Sequence, residues 1–175
     1  ASRTTFISLS KKGVDYYKSV GKPMNGVKVV IRDESGIPLP AGFEGEISIS
    51  GPTVSDGYWK NSQENKKSFK GDEINSGDLA FFDKNGYLYI TGRKKDQINV
   101  GGFKVNPLEI EKEVQKYPNV KDCAICSVKN DFSEIVALGI VVDDHKDFNI
   151  KNMLKSFDGK FENWKIPQIV KILDS

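Results

Sequence analysis

Short stretches in which polar and apolar residues alternate, separated by glycine and proline, dominate the first half of this chain. In an extended chain, Val27, Val29 and Ile31 would lie on the same face. The two isoleucines of residues 46–50 would likewise share one face. A period of two indicates β-strands that bury one face, and the polar face of residues 46–50 predicts a half-solvated strand. The chain is therefore constrained to a folded β assembly of short strands in this region.

One pair of these strands predicts a hairpin. Residues 79–82 and 87–90 flank Asp83-Lys84-Asn85-Gly86, which is typical of a turn closed by glycine. Prolines and glycines punctuate the segments between the other strands, as expected for turns. We predict a small antiparallel β assembly that extends to about Thr91.

The second half predicts a mixed α and β structure. Asn106 is a suitable N-cap for a helix, Pro107 suits the first helical position, and Glu109 lies where a capping box requires it. The remaining segments are predicted as strands at 96–100, 103–105, 123–128, 136–142 and 169–173, and as a helix at 150–157. The order β-β-α-β-β-α-β indicates an α+β domain with helices on one face of a sheet. The fold class is thus α+β, a small antiparallel β subdomain followed by a small α+β domain.

Composition excludes several classes of protein. The net charge is +2, which argues against a nucleic-acid binder that depends on bulk charge. The longest apolar runs, such as residues 136–142, are far shorter than the ~20 residues that a membrane span needs. The N-terminal residues lack the apolar core of a signal peptide, and two cysteines cannot form a disulfide framework, so we expect a cytoplasmic protein. A single histidine, His145, excludes a multi-histidine metal site.

Two short segments could contact a nucleotide. In Ser76-Gly77-Asp78-Leu79, the Asp78 carboxylate at the start of a strand could accept two hydrogen bonds from a vicinal diol such as a ribose. Gly-Asp is also common in turns. In Gly92-Arg93-Lys94-Lys95-Asp96, three consecutive cations could bind a phosphate, although such a segment also suits a solvated connector between domains.

Three other features have weaker interpretations. Gly101-Gly102 would let the backbone approach a ligand closely, but the pair also suits a hairpin turn. Cys123 and Cys126 have a redox-like spacing, yet residues three apart on a strand point to opposite faces, and we interpret both as core residues of a buried strand. His145 is expected in a polar surface loop.

In their order along the chain, these segments resemble the adenylate-forming superfamily, which includes acyl-CoA and aryl-CoA synthetases, luciferases and the adenylation domains of peptide synthetases. The resemblance covers nearly the whole chain from Gly21 onward. It rests on four segments that are similar to the motifs "GEL-x-I-x-G … GYW", "TGDL", "GR-x-x-D-x-I … G-x-(R/K)-(I/V) … EIE" and "YK-(V/I)-P". These are residues 45–59, residues 76–79 with Ser76 in place of threonine, residues 92–111 and residues 164–167.

The resemblance implies roles for particular residues. It implies that Asp78 holds the ribose hydroxyls of ATP and that Arg93 contacts the ribose or phosphate side of the nucleotide. It places an interdomain hinge at Lys95, and it places Gly101 and Gly102 on the face that lines the pantetheine channel. Residues 1–94 would be the C-terminal β subdomain of the adenylation core, and residues 95–175 a mobile lid that is incomplete at its C-terminus.

The implied reaction is carboxylate activation by ATP with Mg²⁺, followed by transfer to a thiol. The thiol belongs to coenzyme A or to a carrier-protein phosphopantetheine, and lysine at the hinge resembles the CoA-ligase side of the family. The acid, such as a fatty acid or an amino acid, stays open. No catalytic or metal-binding residue is expected in this chain, because the phosphate loop, the "YG-x-TE" segment and the family's "G-K" lysine, expected beyond Ser175, are absent.

The resemblance therefore predicts a C-terminal fragment of an ATP-dependent acid–thiol ligase that is inactive alone. Two alternatives remain at this point. One is a binding or regulatory module that has this architecture without chemistry. The other is an unrelated β-rich interaction domain in which the motifs occur by chance.

Overall fold

The chain consists of two compact units. The computed structural model describes residues 19–129, 133–143 and 148–174, so the surface loop predicted at His145 lies outside the described residues. The contacts between Cα atoms divide the chain into Ala1–Lys95 and Asp96–Ser175. The assignment of residues 1–94 to an adenylation core and of residues 95–175 to a mobile lid stays a prediction.

The described part of the first unit is an antiparallel sheet with one short helix. Its elements are β1 (Lys28–Arg32), β2 (Gly45–Ser50), α1 (Ser62–Ser68), β3 (Phe69–Lys70), β4 (Glu73–Phe82) and β5 (Leu88–Arg93). β2 lies between β1 and β4, while β4 also pairs with β3 near its start and with β5 near its end. The long strand β4 therefore organises the sheet, because it pairs with three other strands.

The core of this unit is formed by aliphatic side chains on one face of the sheet. Ile31, Ile47 and Ile74 are at most 4% exposed, and Leu88 is fully buried. The opposite face is less open than the alternation in residues 46–50 predicts, because Ser48 is only 1% exposed. Its hydroxyl lies 2.5 Å from the Asn75 side-chain oxygen, so this buried polar group has a hydrogen-bond partner.

The predicted hairpin is confirmed. β4 and β5 pair as antiparallel strands around the turn at residues 83–86. One oxygen of the Asp83 carboxylate accepts hydrogen bonds from the backbone N–H groups of Asn85 and Tyr87, at 2.9 and 2.8 Å. An aspartate that bonds its own downstream backbone stabilises a turn locally. Residues within the turn itself therefore stabilise the hairpin.

The elements of the second unit follow the order that the sequence predicts. Its described elements are β6 (Ile98–Val100), β7 (Phe103–Val105), α2 (Pro107–Val114), β8 (Val120–Lys129), β9 (Glu134–Val142), α3 (Ile150–Lys155) and β10 (Ile169–Ile172). β9 is central, antiparallel to β8 and parallel to β10, whereas β6 and β7 form a separate hairpin. The predicted α+β class is confirmed.

Helices α2 and α3 bury their apolar faces against the central strand. Ile110 and Val114 of α2, Met153 of α3, and Phe157 in the turn after α3 are fully buried and belong to one cluster with alternate residues of β9. Helix α2 begins as the sequence predicts, because the Asn106 side chain accepts a hydrogen bond from the Leu108 N–H. The helices therefore cover one face of the sheet.

Polar side chains of α2 attach this helix to its neighbours. Glu111 Oε1 accepts from the backbone N–H of Ile125 in β8 at 2.8 Å. Glu109 and Glu162 both form ion pairs with Lys165, each at 3.1 Å. Burial of Lys165 disfavours its charge, but its hydrogen bonds to Glu162 and Glu109 outweigh that effect, so the pKa of Lys165 is raised. The Glu109 and Glu111 positions of the "EIE" segment thus have structural partners.

The prediction that the two cysteines are core residues of a buried strand is wrong for Cys126 and for most of β8. Cys126 is exposed, Cys123 is half-buried, and Ile125 is the buried residue of this strand. The physical reason is the position of β8 at the edge of a sheet whose helices cover one face, so that Ala124 and Cys126 point away from the core. An apolar sequence run alone does not distinguish an edge strand from a central one.

The two thiols should react at different rates. Burial, with smaller effects of Glu111 and Asp122, raises the pKa of Cys123 to about 11, so at pH 8 about one Cys123 in a thousand carries the reactive thiolate. We expect iodoacetamide to modify Cys126 at least tenfold faster than Cys123, as followed by mass spectrometry of the two alkylated positions. Equal rates at pH 8 would contradict the described burial of Cys123.

Candidate functional site

The β4–β5 pair brings Asp78 and Arg93 together. The two residues are 15 positions apart in sequence but lie directly opposite each other in the strand register. Arg93 Nε lies 3.2 Å from Asp78 Oδ1, which makes an ion pair. The sequence predicted both as candidate site residues but did not predict this contact.

Local backbone geometry sets the direction of Asp78. The preceding Gly77 has a φ of +76°, which favours glycine, and the Ser76 hydroxyl accepts a hydrogen bond from the Asp78 N–H at 3.0 Å. A register irregularity follows between Leu79 and Ala80. Asp78 therefore lies at a break in a long strand, where a side chain can be directed away from the regular pleat.

The Asp78–Arg93 pair is accessible. The Asp78 side chain is 28% exposed and that of Arg93 is 60% exposed. An ion pair this exposed contributes about 0–1 kcal/mol to stability. A ligand that replaced part of this contact would therefore lower the stability of the fold only slightly.

A cavity of about 550 Å³ adjoins Arg93 and contains more basic than acidic side chains. Its residues come from β2, from β4, from the end of β5 and the turn that follows it, and from α1 and the loop before α1. They are Glu46, Tyr58, Glu64, Lys67, Ser68, Asn75, Ser76, Gly77, Arg93, Lys94 and Lys95. Lys94 Nζ lies 2.7 Å from Glu46 Oε2 and so is paired. Four cations and two carboxylates give the lining a net positive charge, which suits an anionic ligand.

Tyr58 also lines the cavity, although the sequence did not predict it as a site residue. The Asn65 side chain in α1 accepts from the Tyr58 N–H at 2.6 Å and donates to the Tyr58 carbonyl at 3.0 Å. The Tyr58 ring also packs edge-to-face on Phe69, with ring centroids 5.6 Å apart. The Gly57-Tyr58-Trp59 segment was a sequence signal for this loop, but its partner Asn65 lies in a helix that was not predicted.

The predicted hinge residue Lys95 lies in a turn of 3-10 helix, Lys94–Asp96, that follows β5. The division of the chain into two units falls immediately after Lys95. A short turn between compact units is the kind of segment that can absorb a change in backbone dihedral angles. Movement at Lys95 remains a prediction.

Gly101 and Gly102 belong to the second unit and form the turn between β6 and β7. Their φ values are +59° and +94°, a combination found in the tight hairpin turns that favour glycine. A Cβ added at either position would meet no atom within 4 Å. The backbone of both glycines is therefore open to a ligand. The positive φ angles of the turn are by themselves also a sufficient reason for glycine at both positions.

The described residues do not provide a metal site. Among residues 19–129, 133–143 and 148–174, no group of three or more histidine, cysteine, aspartate or glutamate side chains could hold a metal ion. In the same ranges, no helix is long and apolar enough to cross a bilayer.

Comparisons with known proteins agree on one superfamily. The family model for AMP-binding enzymes matches residues 3–59. The probable CoA ligase CCL9 of Humulus lupulus is 32% identical over 158 residues, which cover 90% of this chain and 30% of the relative. ATP-bound MatB from Rhodopseudomonas palustris is 36% identical with a TM-score of 0.82, over 90% of this chain and 32% of that chain.

A further solved structure contains a reaction intermediate. It is the o-succinylbenzoate CoA synthetase MenE from Bacillus subtilis in complex with the acyl-adenylate OSB-AMP. It is 26% identical with a TM-score of 0.81, and the match covers 91% of this chain and 32% of that chain.

The predicted resemblance to the adenylate-forming superfamily is therefore confirmed, and chance motifs on an unrelated β-rich domain are excluded. Within that superfamily, curated relatives such as CCL9 are CoA ligases. The chain spans about 30% of the length of the curated relatives that it matches. This coverage agrees with the prediction that the chain corresponds to one part of such an enzyme.

Proposed function

We propose that this chain is the C-terminal part of an ATP-dependent ligase that activates a carboxylate and transfers it to a thiol. The observation that carries the proposal is the contact between Asp78 and Arg93 beside a basic cavity. A carboxylate and a guanidinium in contact offer an acceptor for ribose hydroxyls and a donor for phosphate oxygens within one small area.

Asp78 would bind the nucleotide through its ribose. A carboxylate has acceptor sites for two hydrogen bonds, so it can accept one hydrogen bond from each hydroxyl of a vicinal diol. Its contact with Arg93 keeps the carboxylate oriented before the nucleotide arrives. Arg93, which is largely exposed, can then turn toward the ribose or the phosphate groups.

The reaction would proceed in two steps. First, an oxygen of the substrate carboxylate attacks the α-phosphorus of ATP, the bond to pyrophosphate breaks, and an acyl-adenylate forms. Then a thiol sulfur attacks the acyl carbon, the thiol proton is lost, and AMP leaves with the electrons of the broken carbon–oxygen bond. In this proposal ATP is held with Mg²⁺, and the thiol belongs to coenzyme A or to a carrier-protein phosphopantetheine.

The two steps place different groups beside the same acyl carbon, which favours a domain that changes position. We propose that Lys95 is the hinge of that movement and that Gly101 and Gly102 line the channel for the pantetheine chain. The open backbone at both glycines is consistent with close approach of a thin, flexible ligand.

The test is an assay of the complete protein that contains this chain. With ATP, coenzyme A and separate aliphatic, aromatic and dicarboxylic acids, we expect AMP release that depends on one class of acid. The isolated 175-residue chain should show no such release. No acid-dependent AMP release from the complete protein with any acid or thiol would instead favour the non-catalytic binding module.

A further inference from the structure

A chain of two hydrogen bonds connects the Gly101-Gly102 turn to the central sheet of the second unit. Asn99 Oδ1 accepts a hydrogen bond from the Gly102 N–H at 2.9 Å. The Asn99 N–H donates to Glu134 Oε2 at 2.9 Å. Glu134 is the first residue of β9, the central strand of the three-stranded sheet.

The turn of this hairpin needs such support. β6 and β7 have three residues each and are held by Ile98 and Val105, which are buried in the core of the second unit. Gly101 and Gly102, in contrast, are exposed, and glycine loses more backbone entropy on ordering than any other residue. The turn would therefore fluctuate unless other groups fixed it.

Asn99 and Glu134 stabilise different parts of the hairpin. Asn99 precedes the turn and bonds across it, so it fixes the turn itself, whereas Glu134 is 35 residues away and fixes the strand that leads into the turn. On the far side of the turn, the Phe103 ring stacks on Trp164 with ring centroids 4.4 Å apart. The two glycines thus lie between two anchored residues.

We infer that Asn99 and Glu134 are positioning residues for thiol transfer, which hold the Gly101-Gly102 backbone in the conformation that accepts the pantetheine chain. This inference rests on the proposed function, since that function assigns the glycines to the pantetheine channel. Neither side chain needs to touch the thiol, because both act through the backbone of the turn.

Two kinds of variant distinguish loss of the hydrogen bond from loss of the side chain itself. Asn99→Ala and Glu134→Ala each remove an acceptor, whereas Asn99→Asp and Glu134→Gln retain an acceptor oxygen at the same position. In the complete protein, we expect each alanine variant to raise the KM for the thiol about fivefold to tenfold, the effect of one lost hydrogen bond. Pyrophosphate exchange, which reports only the first step, should stay within about twofold of wild type.

The conservative variants and a second turn provide the controls. Asn99→Asp and Glu134→Gln should restore a KM close to that of wild type. Asn85 is an exposed asparagine in the other hairpin turn, so Asn85→Ala should leave the thiol KM unchanged. Hydrogen exchange of the peptide around Gly102 should become about tenfold faster in Asn99→Ala, since its amide loses its partner.

The outcomes distinguish this inference from the proposed function. An unchanged thiol KM in both alanine variants, or an equal loss in both half-reactions, would overturn the positioning role while the ligase function stood. Absence of thiol transfer in the wild-type protein would overturn both. A raised KM that the conservative variants rescue, with faster exchange at the turn, would establish the positioning role.

Discussion

Replacing Asp78 by alanine is expected to weaken ATP binding by the complete protein about 100-fold. The variant loses two hydrogen bonds between a charged acceptor and the ribose hydroxyls, each worth about 1.5 kcal/mol or more, and 1.4 kcal/mol corresponds to a factor of ten. Isothermal titration calorimetry with ATP measures the effect directly. The loss should fall on binding and not on folding, because the Asp78–Arg93 pair is exposed.

Two other substitutions define the controls for Asp78. Asp78→Asn retains one acceptor oxygen without the charge, so we expect an intermediate affinity. Asp72 is an exposed aspartate just before β4, and Asp72→Ala should bind ATP as wild type does. If Asp78→Ala bound ATP with unchanged affinity, the ribose role would be wrong, whatever the activity of the protein.

Replacing Phe157 by alanine is expected to lower the free energy of unfolding of the second unit by about 3–5 kcal/mol, the usual cost of deleting a buried phenylalanine. Phe157 is fully buried and packs edge-to-face on Phe161, with ring centroids 5.6 Å apart. A small domain has only about 5–15 kcal/mol of total stability. Hydrogen exchange across both units during a urea titration would measure the loss.

The two units should respond differently to Phe157→Ala. The buried residues of the first unit and those of the second form separate clusters, with no residue in common. In the variant, the amides of β2 and β4 should therefore stay protected from hydrogen exchange at urea concentrations at which the amides of β9 exchange. Phe43→Ala, at a residue that is 60% exposed, is the matched control and should change neither unit. Equal loss of protection in both units would contradict the division into separate cores.

Features with local causes were predictable from the sequence. The Asp83–Gly86 turn, the Asn106 cap with Pro107, and the order of elements in the second unit all follow from signals within a few neighbouring residues. Asp78 and Arg93 were selected as site residues because of local chemistry and the resemblance to a family. Their roles remain proposals.

Features with long-range causes were not predictable. Helix α1 is polar and has no buried residue, so it lacks the apolar stripe by which a helix is recognised. Ser48 is buried and bonded to Asn75 of a neighbouring strand, and Cys126 is exposed because the helices cover only one face of the sheet that β8 borders. The Asp78–Arg93 contact depends on the strand register and on a bulge, which residue patterns alone do not specify.

Above all, we propose that the complete protein makes an acyl-adenylate and then transfers the acyl group to a thiol. The direct measurement is mass spectrometry of the protein with ATP and its preferred acid, first without and then with coenzyme A or a phosphopantetheine thiol. We expect an acyl-adenylate that accumulates without thiol and is converted to a thioester and AMP when thiol is added. At limiting ATP, Asp78→Ala should form far less of this acyl-adenylate. Failure of the wild-type protein to form any acyl-adenylate, or equal formation by Asp78→Ala at limiting ATP, would contradict this proposal.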